Sequence, residues 1–198
     1  MNLPNKLTVS RFILTVFFLW AVFSRSPVND TLALVVFSLA SFTDYLDGMI
    51  ARRRGITTSF GALMDPLADK ILVCSAFIAL VERGYINPDA PVRVEAWMVV
   101  IIVARELAIT GLRLLAASKS VVLAAERYGK HKTISQIVAV IALLVLDAHT
   151  EWWPWLQALF QHWLIPFTRV ALYVAVTMTA ISGWLYLRRN REIYMNDL

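Results

Sequence analysis

Six apolar runs, each near the length that crosses a bilayer, constrain this 198-residue chain more than any other feature. They cover Leu7–Phe23, Leu32–Ile50, Ala62–Val81, Ala96–Ala116, Thr133–Leu146 and Pro166–Leu187. A helix needs about 20 such residues to span the hydrocarbon core. The fifth run is short, because Asp147 and His149 close it early. The chain is 59% apolar, above the roughly 45–50% of soluble domains. The fold class these runs imply is all-α: a polytopic membrane protein with six transmembrane helices, forming a single domain over residues 1–198. The first run does not read as a cleaved leader, since Arg11 interrupts it and no small-residue cleavage site follows. Cys74 is the one cysteine, so intrachain disulfides are excluded; it sits in an apolar run and reads as a small core residue.

Charge sets orientation. The net charge is +5. In so apolar a chain this indicates basic loops facing an anionic leaflet and an anionic substrate, and no nucleic acid. Lys6 and Arg11 open the first run, and Arg52, Arg53 and Arg54 follow the second. Lys119, Arg127, Lys130 and Lys132 lie between the fourth and fifth, and Arg188, Arg189 and Arg191 follow the sixth. The opposite connections carry Arg25, Arg83, Arg93 and Arg169. This bias puts both termini in the cytoplasm. Trp152, Trp153, Trp155 and Trp163 then form an aromatic belt at the outer interface.

Against this background, four aspartates inside apolar sequence stand out, in the frame Asp44-x-x-Asp47-Gly48-x-x-Ala51-Arg52 … Gly61-x-x-x-Asp65-x-x-x-Asp69. Unpaired at membrane depth, they would cost on the order of 10 kcal/mol together. Asp44 and Asp47 are three residues apart and Asp65 and Asp69 four apart, so each pair shares a helix face. Both pairs lie at the cytoplasmic ends of their runs, and the short connection 53–60 returns the chain. The four carboxylates converge on one cavity, and oxygen ligands of this kind suit Mg²⁺ or Mn²⁺. Gly48 and Gly61 give a ligand or another helix room to approach the backbone. Arg52 lies within reach of a phosphate.

This motif resembles that of the CDP-alcohol phosphotransferase family without a departure. The opening Asn2–Arg11, the block Phe60–Lys70, the pair Arg105-Glu106 and the segment Gly129–Thr133 look like the bacterial branch that makes phosphatidylglycerol phosphate. The resemblance implies transfer of the phosphatidyl group from CDP-diacylglycerol to the primary hydroxyl of sn-glycerol 3-phosphate, with release of CMP. It implies two divalent cations held by Asp44, Asp47, Asp65 and Asp69, with Asp69 also the base for the acceptor hydroxyl. The cytidine diphosphate lies against Asn5, Tyr45, Gly48, Arg52 and Thr58, with Thr8 and Gly61 in the same binding group. Further implications are a homodimer in the bacterial inner membrane among membrane lipids, and an active site facing the cytoplasm.

The acceptor leaves its own mark. Arg105 and Arg113 are eight apart in the fourth run and sit on roughly one face, while Lys130 and Lys132 open the fifth. Arginines inside a span need an anionic partner, either Glu106 and the aspartates or a ligand phosphate. A phosphorylated acceptor accounts for this second basic group. A sister enzyme using inositol phosphate, serine or phosphatidylglycerol is the main alternative, and an intramembrane carboxylate transporter is another. His131, His149 and His162 take no chemical role.

Overall fold

Among the described residues the chain forms helices and no strand. The computed structural model describes residues 3–24, 28–54, 59–119, 121 and 127–195, and only the backbone of 3–8, 44–54, 59–69 and 127–130. Each of the six apolar runs falls on a long helix: α1 (Leu3–Phe23), α2 (Asn29–Arg54), α3 (Ser59–Ile86), α4 (Ala96–Ser118), α5 (Arg127–Ala148) and α7 (Leu164–Arg189). Between the last two lies a short α6 (Pro154–Phe160), and α8 (Glu192–Met195) follows α7. Proline starts α6 at a position where its missing N–H costs nothing. The fifth helix is longer than its run, because it begins within the basic segment and keeps Asp147 helical through an ion pair.

That ion pair aligns three helices. Arg83, in the last turn of α3, donates to Asp30 in the first turn of α2, and at 2.9 Å to Asp147 near the end of α5. The start of α2 therefore meets the ends of α3 and α5, and α2 runs antiparallel to both. Beside it, Glu151 accepts the backbone N–H groups of Asp30 at 3.0 Å and Thr31 at 2.9 Å, and the Thr31 hydroxyl at 2.6 Å. A carboxylate is well placed there, because the first N–H groups of a helix lack internal partners and carry its positive dipole end. The Trp152 indole donates to the same Thr31 hydroxyl at 3.0 Å.

The core lies between α1, α2, α3, α5 and the facing sides of α4 and α7. Phe18, Phe37, Phe77, Met98, Ile102, Leu144 and Leu172 are fully buried. The rings of Phe18 and Phe37 approach to 5.5 Å between centroids. Ala21, Ala33, Ala40, Ala76, Ala139 and Ala175 are also buried, and small residues at such contacts let helix backbones come close. Cys74 is half-buried on α3. Trp153, Trp155 and Trp163 are exposed around α6. Arg169 belongs to α7, where it donates to the Pro91 carbonyl at 3.1 Å.

Among the described residues, His131–Glu151 and Leu164–Arg189 are long and apolar enough to cross a membrane. Two of the six expected spans are thus matched, and Val9–Phe23 and Asn29–Thr43 are shorter apolar helices. In its body α4 carries Arg105, Glu106 and Arg113, and α2 and α3 carry the aspartate motif.

Replacing Arg83 strands two carboxylates. Arg83→Met should destabilise the fold by about 1.5–3 kcal/mol, the usual worth of a charge-assisted bond. Arg83→Lys should restore little, since a point ammonium does not fork between two carboxylates on different helices. Thermal unfolding in detergent should show a lower apparent Tm for both variants, with specific activity of the remaining folded protein retained. An unchanged Tm would refute the alignment role.

Candidate active site

The aspartate motif occupies the last turns of α2 and the first turns of α3, which residues 55–58 connect. Because Arg83 joins the start of α2 to the end of α3, both motif segments return to the opposite end of the bundle. The side chains of Asp44, Asp47, Asp65 and Asp69 lie outside the described residues. So do those of Asn5, Thr8, Tyr45, Gly48, Arg52, Gly61 and Lys130, and Thr58 altogether. The backbone puts Asn5 and Thr8 at the start of α1 and Lys130 at the start of α5. Among the described residues no group of three or more His, Cys, Asp or Glu is placed to hold a metal.

Lys70 follows Asp69 in α3, and its amine donates to the Thr110 hydroxyl of α4. That hydroxyl donates in turn to the Glu106 carbonyl at 2.7 Å, one turn earlier. The Asp69 turn of α3 is thereby tied to the middle of α4.

Glu106 is the centre of this region. Its carboxylate, buried at 7% exposure, accepts from the Lys132 amine of α5 and, at 3.2 Å, from the Arg105 guanidinium. Lys132 is buried to 5% exposure. Taking an ion out of water costs several kcal/mol, so these groups are stable there only as partners. Among the described residues, two basic groups share this one carboxylate. Arg105 also holds a buried Nε that has no hydrogen-bond partner among the described residues. Such a donor is rare in a finished structure and suits an anionic ligand.

Arg113, seven residues beyond Glu106 on α4, is exposed. Its Nε donates to the Tyr186 hydroxyl of α7 at 3.3 Å, and its guanidinium carbon lies 5.8 Å from the centre of that ring. A second polar tie joins α5 to α7 nearby: Gln136 donates to the Thr179 hydroxyl at 2.9 Å, with both groups buried. Of the basic residues singled out by sequence, the fold thus joins Arg105 with Lys132, and it brings both Arg105 and Arg113 against α7. Sequence reading missed Lys70, Thr110 and Tyr186. Lys70 had a visible signal, standing directly after the motif, whereas a tyrosine in an apolar run gives none.

The far end of the bundle holds a cavity of about 740 Å³ lined by Asp30, Arg83, Asp147 and His149 among others. Its arginine is already paired with both aspartates.

A family model described as CDP-alcohol phosphatidyltransferase matches residues 1–181. A Bacillus subtilis protein named CDP-diacylglycerol–glycerol-3-phosphate 3-phosphatidyltransferase is 39% identical, with 96% of each chain covered. A Rickettsia bellii protein of the same name is 31% identical over 98% of this chain and 97% of its own. A Mycobacterium tuberculosis protein named "Probable phosphatidylglycerophosphate synthase" is 40% identical over 95% of this chain and 81% of its own. With the aspartate frame intact and near-full-length similarity on both sides, the chain belongs to the CDP-alcohol phosphatidyltransferase family.

Proposed function

We propose that the chain transfers the phosphatidyl group of CDP-diacylglycerol to the primary hydroxyl of sn-glycerol 3-phosphate, giving phosphatidylglycerol phosphate and CMP. The observation that carries this reading is the near-full-length similarity to proteins named for that activity. The buried basic cluster supports the choice of acceptor. Arg105 and Lys132 share one carboxylate, so they hold spare positive charge and donors for a phosphate.

In this reading Asp44, Asp47, Asp65 and Asp69 hold two Mg²⁺ or Mn²⁺ ions. Ions bound by these carboxylates would supply positive charge to offset the pyrophosphate and to stabilise the attacking and leaving oxygens. Asp69 takes the proton of the acceptor hydroxyl as that oxygen attacks the phosphorus bonded to diacylglycerol. The phosphorus–oxygen bond to CMP breaks, and CMP leaves with the electron pair. A carboxylate of ordinary pKa near 4 is a weak base for an alcohol, so its position matters more than its basicity. Arg105, Arg113 and Lys130 or Lys132 bind the acceptor phosphate, and Asn5, Thr8, Tyr45, Gly48, Arg52, Thr58 and Gly61 bind the cytidine diphosphate.

The same reading makes this a six-span, single-domain protein of the bacterial inner membrane, with its site toward the cytoplasm and a homodimeric assembly. Large apolar side chains exposed on the outer helix faces support it, among them Val16, Val100, Leu107 and Val170. A water-soluble surface avoids such continuous apolar area. One substrate is a lipid and the other is water-soluble, which favours a site at the membrane boundary.

Three measurements test this. Label transfer from CDP-diacylglycerol to glycerol 3-phosphate by purified protein should require a divalent cation. Asp44→Asn, Asp47→Asn and Asp65→Asn should each nearly abolish it in folded protein, and full activity in chelator would remove the metal assignment. Arg105→Ala, Arg113→Ala and Lys132→Ala should raise the KM for glycerol 3-phosphate by about ten- to a hundred-fold, the worth of a charge-assisted bond, with less effect on CDP-diacylglycerol. Equal damage to both substrates would make these residues structural. Labelling of single cysteines in a Cys74→Ala background should find positions 2 and 198 cytoplasmic and position 153 outside, and external labelling at either terminus would refute this topology.

A further inference from the structure

The two arginines assigned to the acceptor phosphate lean on the same neighbour, and that neighbour carries no part of the motif. A Cβ at Gly183 of α7 would lie 2.7 Å from Cγ of Arg105 and 3.5 Å from its Cβ. That is closer than carbon atoms tolerate, and the colliding atom belongs to the stem of the arginine, where little adjustment is available. Hydrogen at position 183 is thus a condition for the observed path of Arg105. Three residues further on the same face, Tyr186 is buried to 3% exposure, accepts from Arg113 at 3.3 Å and presents its ring to the guanidinium. Glu106 restrains Arg105 from the other side through a single 3.2 Å contact, and the arginine's Nε remains unpaired among the described residues. Its place is therefore set by shape as much as by hydrogen bonding.

We propose that α7 positions the acceptor-phosphate arginines, with Gly183 admitting the stem of Arg105 and Tyr186 holding the guanidinium of Arg113. Both are positioning residues, and they determine preference for a phosphomonoester alcohol. The inference rests on the assignment of Arg105 and Arg113 to the acceptor phosphate. Plain packing of α4 on α7 is the competing explanation. It affects fold stability or both substrates together, whereas positioning acts on the acceptor.

The test measures KM for glycerol 3-phosphate and for CDP-diacylglycerol, with kcat and apparent Tm, on the full-length protein in mixed micelles. Gly183→Ala should raise the KM for glycerol 3-phosphate on the order of tenfold by misplacing a binding group. Tyr186→Phe, which keeps the ring, should raise it about two- to ten-fold, the worth of one hydrogen bond. Tyr186→Leu should exceed Tyr186→Phe. The KM for CDP-diacylglycerol should stay near wild type in all three. Gly111→Ala serves as the control, because a Cβ there meets nothing within 4 Å. Tyr186→Phe carries the test alone if Gly183→Ala does not fold. If these variants leave acceptor KM unchanged, or shift both KM values equally, while Arg105→Ala and Arg113→Ala still raise acceptor KM, positioning by α7 is refuted and the ligand assignment stands. If the arginine variants themselves leave acceptor KM unchanged, the assignment falls and the inference with it.

Discussion

The carboxylate of Glu106 is the interaction on which the interior of the motif end depends. A buried ion pair is a weak source of stability, because desolvation offsets most of the attraction, yet removing one partner is severe. Glu106 therefore contributes less by strengthening the fold than by making Lys132 and Arg105 tolerable where they are. Without it, two cations on α4 and α5 would face each other at low dielectric. With it, they sit close together around one carboxylate, with donors to spare among the described residues.

The two ends of the bundle treat charge in opposite ways. At the far end Arg83 meets two aspartates on two other helices, and Glu151 closes the start of α2. Donors and acceptors there are matched within the chain, which suits an end that holds helices in register. At the motif end the basic groups outnumber the carboxylate they share, and a buried arginine nitrogen goes unmatched among the described residues. The imbalance is what an anionic ligand would correct.

The parts of this molecule legible in sequence are those whose signal is local. Apolar runs announced the long helices, and the spacing of Asp44, Asp47, Asp65 and Asp69 announced the motif, because each depends on residues within a few turns. The end of α5 at Ala148 falls where Asp147 and His149 close the run, but the partner of Asp147, Arg83, lies 64 residues away and has no local signal. Thr31 and Glu151 are 120 residues apart, and neither residue type hints at the pairing. Arg105 and Lys132 were suspected as phosphate ligands, but their sharing of Glu106 required α5 to come within a side chain's reach of α4. Gly183 and Tyr186 in an apolar run read as ordinary packing residues, since only the approach of α4 gives them other work.

The distribution of chemistry over helices bears on how such a fold changes substrate. The motif is confined to α2 and α3, whereas the described basic groups proposed for the acceptor come from α4 and α5, and the two on α4 rest on α7. Lys70 to Thr110 is a described link between the two sets, and it joins α3 to α4 by a single side-chain bond. Substitutions on α4, α5 or α7 can therefore reshape the acceptor side while leaving the aspartate frame intact. The reverse does not hold. In the proposed function Asp69 is both a metal ligand and the base, so a change in the frame would disturb every acceptor alike. A family that keeps one motif and varies its alcohol needs this asymmetry, and the helix assignment supplies it.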